Sequence, residues 1–174
     1  VDENDVLGDY MFSGCSALTS LILPSSVTKI GNYAFERLVT LTSLIIPSNV
    51  TEIGNSAFVN CRGLTSMKIP SSVTNIGDCA FLNCSGLTSL VISSGVTKIG
   101  DSAFKNCSGL TSLVIPSGVT EIGWFAFENC SGLTSIYVYA EHIYTSGLVA
   151  FKGCDKNNCK VYVPKGTYDY YIKY

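Results

Sequence analysis

A repeat of 23 residues constrains the fold of this chain more than any other feature. The string CSGLTSLVI begins at Cys84 and again at Cys107, and a third version, CSGLTSIYV, begins at Cys130. Leucine recurs with the same period, at positions 18, 41, 64, 87, 110 and 133. Because a unit of 23 residues cannot bury its own apolar side chains, we expect the units to stack into a solenoid.

The aligned unit reads LTSLxIPSxVTxIGxxAFxNCSG, and its parts predict different local structures. Apolar residues alternate in TSLVI, and proline usually follows, so this segment predicts a short strand. The glycine after isoleucine indicates either a positive φ or a site too crowded for a side chain. The AFxNC segment is too short for a regular helix and predicts one helical or 3-10 turn.

The ends of the chain depart from the regular unit. Residues 1–17 form a partial N-terminal repeat, 18–132 five complete repeats, 133–157 an irregular sixth repeat, and 158–174 a C-terminal capping strand and tail. The sixth repeat has one extra residue before Cys154, and Val161–Val163 starts a final strand. Since Gly8–Phe12 aligns with Gly31–Phe35, the chain starts inside a repeat, and we expect it to be part of a longer array.

The unit LxxLxIPxxVxxIGxxAFxxC resembles the BspA-type class of leucine-rich repeats, which occur mainly in bacterial surface proteins. The resemblance covers nearly the whole chain, and the ending YVPKGTYDYY also resembles the closing segment of such arrays. It implies an α/β leucine-rich-repeat solenoid, with one parallel β-sheet face and short helical or 3-10 turns and loops opposite. It also implies a secreted or cell-surface bacterial protein that binds a protein or glycan of a host cell, a neighbouring cell or a matrix.

Six of the eight cysteines occupy one column of the repeat: Cys15, Cys61, Cys84, Cys107, Cys130 and Cys154. Leu38 fills the same column, which favours a buried apolar position where a free thiol acts as a small hydrophobic group. Disulfides between adjacent units are the alternative. A metal site is not expected, because the column lacks histidine partners. Cys154 and Cys159 flank DKNN and could form a local disulfide.

The predicted strands place a second set of side chains on the outer face. If Leu21 and Leu23 point inward, Ile22 points outward, and stacking aligns it with its equivalents in the other units. The candidate ligand-binding residues are this column and one neighbour: Ile22, Ile45, Lys68, Val91, Val114, Tyr137 and Tyr162, with Tyr139 beside them. A contiguous apolar stripe often marks an interaction surface, although strand propensity alone could also explain these residues.

Composition and motifs exclude several classes of function. The net charge is −2 and only 14% of the residues are charged, so we expect no binding of nucleic acid. The apolar runs are too short for membrane insertion. His142 is the only histidine, and no paired carboxylates, phosphate-binding glycine loop or nucleophile–base pair can be recognised. We therefore expect no catalytic residues, no cofactor and no enzymatic activity.

Three functions compete at this level. The first is an extracellular adhesion module that binds a protein or glycan through the sheet face, and the alternative is a passive spacer on a surface protein. A third, an ice-binding array of threonine and serine, conflicts with the bulky Ile22 column beside it. Trp124 stands where other units have Asn or Asp, and we expect it to pack beneath the irregular stretch AEHIYTSG.

Overall fold

The computed structural model describes residues 5–145, 148–167 and 169. The chain coils through about seven turns of a parallel β-solenoid, each turn 23 residues after the last. In chain order the strands are β1 (Val6–Leu7), β2 (Lys29–Ile30), β3 (Glu52–Ile53), β4 (Ser66–Ile69), β5 (Asn75–Ile76), β6 (Ser89–Ile92), β7 (Lys98–Ile99), β8 (Ser112–Ile115), β9 (Glu121–Ile122), β10 (Ser135–Val138), β11 (Tyr144–Thr145) and β12 (Lys160–Tyr162).

The longer strands form the face that the TSLVI segments predict. β4 pairs with β6, and β10 pairs with both β8 and β12, always in parallel. An isolated bridge between Ser43 and Ser66 continues the same ladder into the preceding turn. We call these strands, together with the aligned segments around Ile22 and Ile45, the long-strand face. The parallel-sheet solenoid expected from the repeat is therefore confirmed.

A second sheet runs along the solenoid, and the sequence analysis did not anticipate it. The two-residue strands pair in parallel in the order β1-β2-β3-β5-β7-β9-β11, and we call them the short-strand sheet. Its register places Ile30 beside Ile53 and Ile76 beside Ile99. Each strand contains only one buried residue, so the sequence of a single unit shows no alternation that would predict it.

The AFxNC segments form turns, and the described residues contain almost no helix. The 3-10 helix Leu148–Phe151 lies in the irregular repeat. In the second turn, Tyr33 and Arg37 flank Ala34-Phe35 with φ of 55° and 59°, values that interrupt a right-handed helix. The N–H of Phe35 instead donates to the carbonyl of Ala57 in the next turn, at 2.8 Å. Hydrogen bonds between turns thus replace those within a helix.

The core consists of the repeat columns stacked on one another. Phe35, Phe58, Phe81, Phe104 and Phe127 are fully buried, and successive ring centroids lie 4.8, 4.8, 5.1 and 5.3 Å apart. The glycine column packs equally closely. A Cβ on Gly54 would lie 2.8 Å from the carbonyl carbon of Gly31, and Gly54 does not have a positive φ. Crowding, the second of the two predicted reasons, accounts for this glycine.

Polar side chains also join consecutive turns. The N–H of Asp101 donates to Oδ1 of Asp78 at 2.8 Å, and the N–H of Trp124 donates to Oδ1 of Asp101 at 2.7 Å. This bond holds Trp124 in the column of its Asp and Asn equivalents, with its side chain directed outward. Trp124 is 54% exposed, so the expectation that it packs beneath the irregular stretch is wrong.

The irregular ends continue both sheets. In the first turn β1 pairs with β2, and in the last turn β12 pairs with β10 as the strand of the expected cap. Residues 1–4 of the predicted N-terminal repeat, 146–147 of the sixth repeat, and 168 and 170–174 of the predicted tail lie outside the described residues.

Candidate interaction face

The alternation of each long strand sets the direction of the candidate binding residues. In β4, β6 and β8 the four residues are exposed, buried, exposed and buried in turn. Met67, Leu90 and Leu113 therefore enter the core, while the next residue of each strand faces solvent. We call the aligned outward residues the outer column; its members are Ile22, Ile45, Lys68, Val91, Val114, Tyr137 and Tyr162.

The strand register brings the outer column together. Lys68 lies opposite Val91, and Tyr137 lies between Val114 and Tyr162. Ile22 is 93% exposed and Ile45 is 85% exposed, which is unusual for isoleucine. Large apolar side chains therefore line the solvent-facing side of a sheet along the length of the solenoid.

The C-terminal end of the outer column is aromatic. The rings of Tyr137 and Tyr162 stack with their centroids 4.7 Å apart and their planes 6° apart. Tyr139 follows β10, donates its N–H to the carbonyl of Ile115 at 2.9 Å, and is 61% exposed. A tyrosine combines a large apolar area with a polar hydroxyl, so this cluster can pack against a partner and also form hydrogen bonds with it.

The cysteine column lies in the core, away from the outer column. Cys61, Cys84, Cys107 and Cys130 are fully buried free thiols. The thiol of Cys61 donates to the carbonyl of Phe35 at 3.0 Å, and the later ones repeat this contact. Burial raises the pKa of Cys61 and that of Cys107 to about 12, so both stay protonated at neutral pH.

The cysteines at the two ends differ from the buried ones. Cys15 is exposed, because no earlier turn in the described chain covers its sulfur. Cys154 and Cys159 are partly buried free thiols, and Sγ of Cys154 lies 3.4 Å from the carbonyl oxygen of Phe127. The local disulfide between these two residues stays a prediction.

The described residues include no group of three or more His, Cys, Asp or Glu side chains arranged to hold a metal ion. His142 lies exposed in the irregular turn. The expectation that the chain has no enzymatic activity and needs no cofactor stays a prediction.

The sequence analysis missed one exposed aromatic residue on the other sheet. Tyr144 lies in β11 of the short-strand sheet, opposite Glu121, and is 81% exposed. It belongs to the column of Lys29, Glu52 and Lys98, which the 23-residue period contains once the extra residue is placed. Recognising the short-strand sheet would have identified it.

Comparison with known proteins follows from this geometry. A model of the BspA type leucine-rich repeat region matches the chain in six copies, over residues 2–108 and 29–158. The chain belongs to the BspA-type leucine-rich repeat family. Comparison with curated proteins gave no match.

Solved structures of bacterial leucine-rich repeat proteins resemble this solenoid. A leucine-rich repeat protein of T. pallidum is 29% identical with a TM-score of 0.80, covering 97% of this chain and 75% of its own length. A leucine-rich cell surface protein of Faecalibacterium prausnitzii is 25% identical with a TM-score of 0.69, covering 94% of this chain and 59% of its own. The pneumococcal vaccine antigen PcpA is 28% identical with a TM-score of 0.62, covering 69% of this chain and 30% of its own.

These coverages show that the chain spans about three-fifths of the length of the Faecalibacterium protein and less than a third of PcpA. Nothing in the described part of the chain is a helix with the length and apolar character needed to cross a bilayer. The family membership and the named relatives support a role in protein interaction or structure at a bacterial surface.

Proposed function

We propose that this chain is an extracellular adhesion module whose long-strand face binds a protein or glycan of a host cell, a neighbouring cell or a matrix. The observation that carries the proposal is the exposure of the outer column. Ile22 and Ile45 are almost entirely in solvent, and Val91 and Val114 continue the same stripe. Solenoids present extended surfaces of this kind to their partners, and contiguous apolar patches mark interaction sites.

The tyrosines at the end of the stripe add a possible anchor. Tyr137, Tyr139 and Tyr162 offer rings that suit either an apolar protein side chain or the apolar face of a sugar. Tyrosine is enriched among the residues that contribute most to protein binding. The polar and aromatic end and the aliphatic stretch would then contribute to one continuous contact.

The extracellular location is supported by the printed description of the Faecalibacterium relative as a cell surface protein. A passive spacer is the competing function. It would have the same fold, but its outer column could be changed without functional consequence.

The test is a binding screen of the chain against extracellular-matrix proteins and glycans. Beside it run a variant with Val91→Glu and Val114→Glu in the outer column, and a control with Ser94→Glu and Ser117→Glu. The control adds the same charge at exposed loop positions of the same two turns. We expect a partner that binds the parent and the control but not the outer-column variant, with unchanged circular dichroism. Binding by none of the three would favour the spacer.

A further inference from the structure

A polar groove follows another corner of the solenoid, just before the long strands begin. It consists of two adjoining depressions of about 670 and 400 Å³ that share Arg62. One wall is the asparagine column Asn60, Asn83, Asn106 and Asn129, and the other contains Ser85, Ser108 and Ser131. The long-strand face is apolar, whereas this groove presents amides and hydroxyl groups.

The amides of the asparagine column are held in fixed positions. Nδ2 of Asn83 donates to Oδ1 of Asn60 at 2.9 Å, Asn106 donates to Asn83 at 2.7 Å, and Asn129 donates to Asn106 at 3.0 Å. An amide nitrogen carries two hydrogens, so each of these donors retains one N–H for a ligand. The groove therefore offers one oriented donor in each turn, at the strand spacing of about 4.8 Å.

Both arginines of the chain lie in this groove. Arg37 and Arg62 line the larger depression, although the chain as a whole carries a net charge of −2. Within the described residues, the guanidinium group of Arg62 makes no ion pair or hydrogen bond. Nε of Arg37 lies 3.4 Å from Oε1 of Glu36, which leaves its terminal nitrogens available. An arginine fork of this kind binds carboxylate and sulfate groups through two parallel hydrogen bonds.

Arg37 occupies a conformation that costs free energy. Its φ is 59°, and the four following turns place asparagine at the same position with φ of 58° to 62°. Asparagine tolerates the left-handed region better than arginine does. Backbone strain of this kind is found at functional sites, where the side chain at that position is needed.

We propose that this groove binds an acidic polysaccharide, a chain of sugars that carries carboxylate or sulfate groups. Arg37 and Arg62 would bind the acidic groups, while the asparagine amides and serine hydroxyl groups would bind sugar hydroxyls in successive turns. A polymer suits the groove because its repeating units can follow the regular spacing of the solenoid. Nucleic acid fits poorly, since only two cationic side chains line the groove. This site is separate from the long-strand face and does not depend on the function proposed for it.

The test is a calorimetric titration of the chain with three polymers: heparin oligosaccharide, which is sulfated; hyaluronate, which is carboxylated; and dextran, which is neutral. We expect at least one acidic polymer to bind, dextran not to bind, and affinity to fall as salt is raised. A variant with Arg37→Gln and Arg62→Gln should bind roughly tenfold more weakly or worse, the range for lost hydrogen bonds to charged groups. A preference for heparin over hyaluronate, or the reverse, would identify the acidic group.

Two controls make the result decisive. Lys156→Gln with Lys165→Gln removes the same charge from exposed sites outside the groove and should leave the affinity unchanged. Val91→Ser with Val114→Ser should also leave it unchanged, which separates this site from the long-strand face. The proposal would be overturned if neither acidic polymer bound, if dextran bound equally well, or if the lysine control weakened binding as much as the arginine variant did.

Discussion

The two sheets of this solenoid use their exposed side chains differently. On the short-strand sheet, Lys29 pairs with Glu52 at 3.3 Å and Lys98 pairs with Glu121 at 2.9 Å, so neighbouring turns satisfy one another. On the long-strand face, the outer column exposes isoleucine and valine, which have no polar group to pair. The comparison indicates that the short-strand sheet contributes to the stability of the array, while the long-strand face is available to a partner.

The largest expected contrast is between two identical substitutions, one in each sheet. Ile76→Ala removes a fully buried side chain from the short-strand sheet and should lower the free energy of unfolding by about 2–5 kcal/mol. Ile45→Ala removes an exposed one from the outer column and should change it by about 0.5 kcal/mol or less. Denaturant unfolding of both variants measures the difference. Equal losses would mean that the outer column is part of the core.

The close packing of turns at the short-strand sheet gives the next effect. A Cβ at Gly77 would lie 2.7 Å from both the backbone nitrogen of Asn55 and the carbonyl carbon of Gly54, so Gly77→Ala should cost about 1–3 kcal/mol, as overpacking does. Gly8→Ala is the matched control, since its nearest contact would be Cε of Met11 at 3.8 Å. Thermal unfolding should separate the two variants, and an unchanged Gly77→Ala protein would contradict the crowding.

A stabilising substitution is expected in the polar groove. Arg37→Asn should suit the positive φ and extend the asparagine ladder by one hydrogen bond to Asn60, a gain of roughly 0.5–1.5 kcal/mol. The same change should weaken the binding of acidic polysaccharide, because it removes one of the two charges. Unfolding and titration of the same variant test both effects. A variant that is less stable than the parent would show that Arg37 is not strained.

The smallest effect concerns the ion pairs of the short-strand sheet. Hydrogen bonding to Glu121 raises the pKa of Lys98, so this lysine stays charged throughout the neutral range. Lys98→Gln should cause a small loss of stability at low salt that fades as salt is added, because the pair is exposed. Lys68→Gln in the outer column, where Lys68 has no ion-pair partner among the described residues, should show no such salt dependence.

The sequence predicted the elements that repeat with a clear apolar pattern. The leucine period predicted the solenoid, and the alternation in TSLVI predicted the outward direction of Ile22 and its equivalents. The short-strand sheet escaped prediction because each strand has only two residues and depends on pairing with the next turn. The helical turns were overestimated because positive φ values at residues such as Tyr33 and Arg37 depend on packing between turns.

The polar groove illustrates the same limit. Arg37 and Arg62 are 25 residues apart in a chain with a 23-residue period, so they occupy different columns and showed no shared pattern. Folding brings both columns to one corner of the solenoid. A partner for the long-strand face, by contrast, could be proposed from the sequence, because every residue of the outer column has the same place in its repeat.

The most direct test compares two equally exposed residues, Ile45 on the long-strand face and Tyr144 on the short-strand sheet. Ile45→Glu and Tyr144→Glu each place a charge on one of these surfaces, and the affinity of each variant is measured for the matrix protein or glycan that binds the parent best. We predict that Ile45→Glu weakens binding by roughly tenfold or more, as the loss of a buried apolar contact would, while Tyr144→Glu leaves it unchanged. The opposite result, with binding lost only in Tyr144→Glu, would place the interaction on the short-strand sheet and contradict the account.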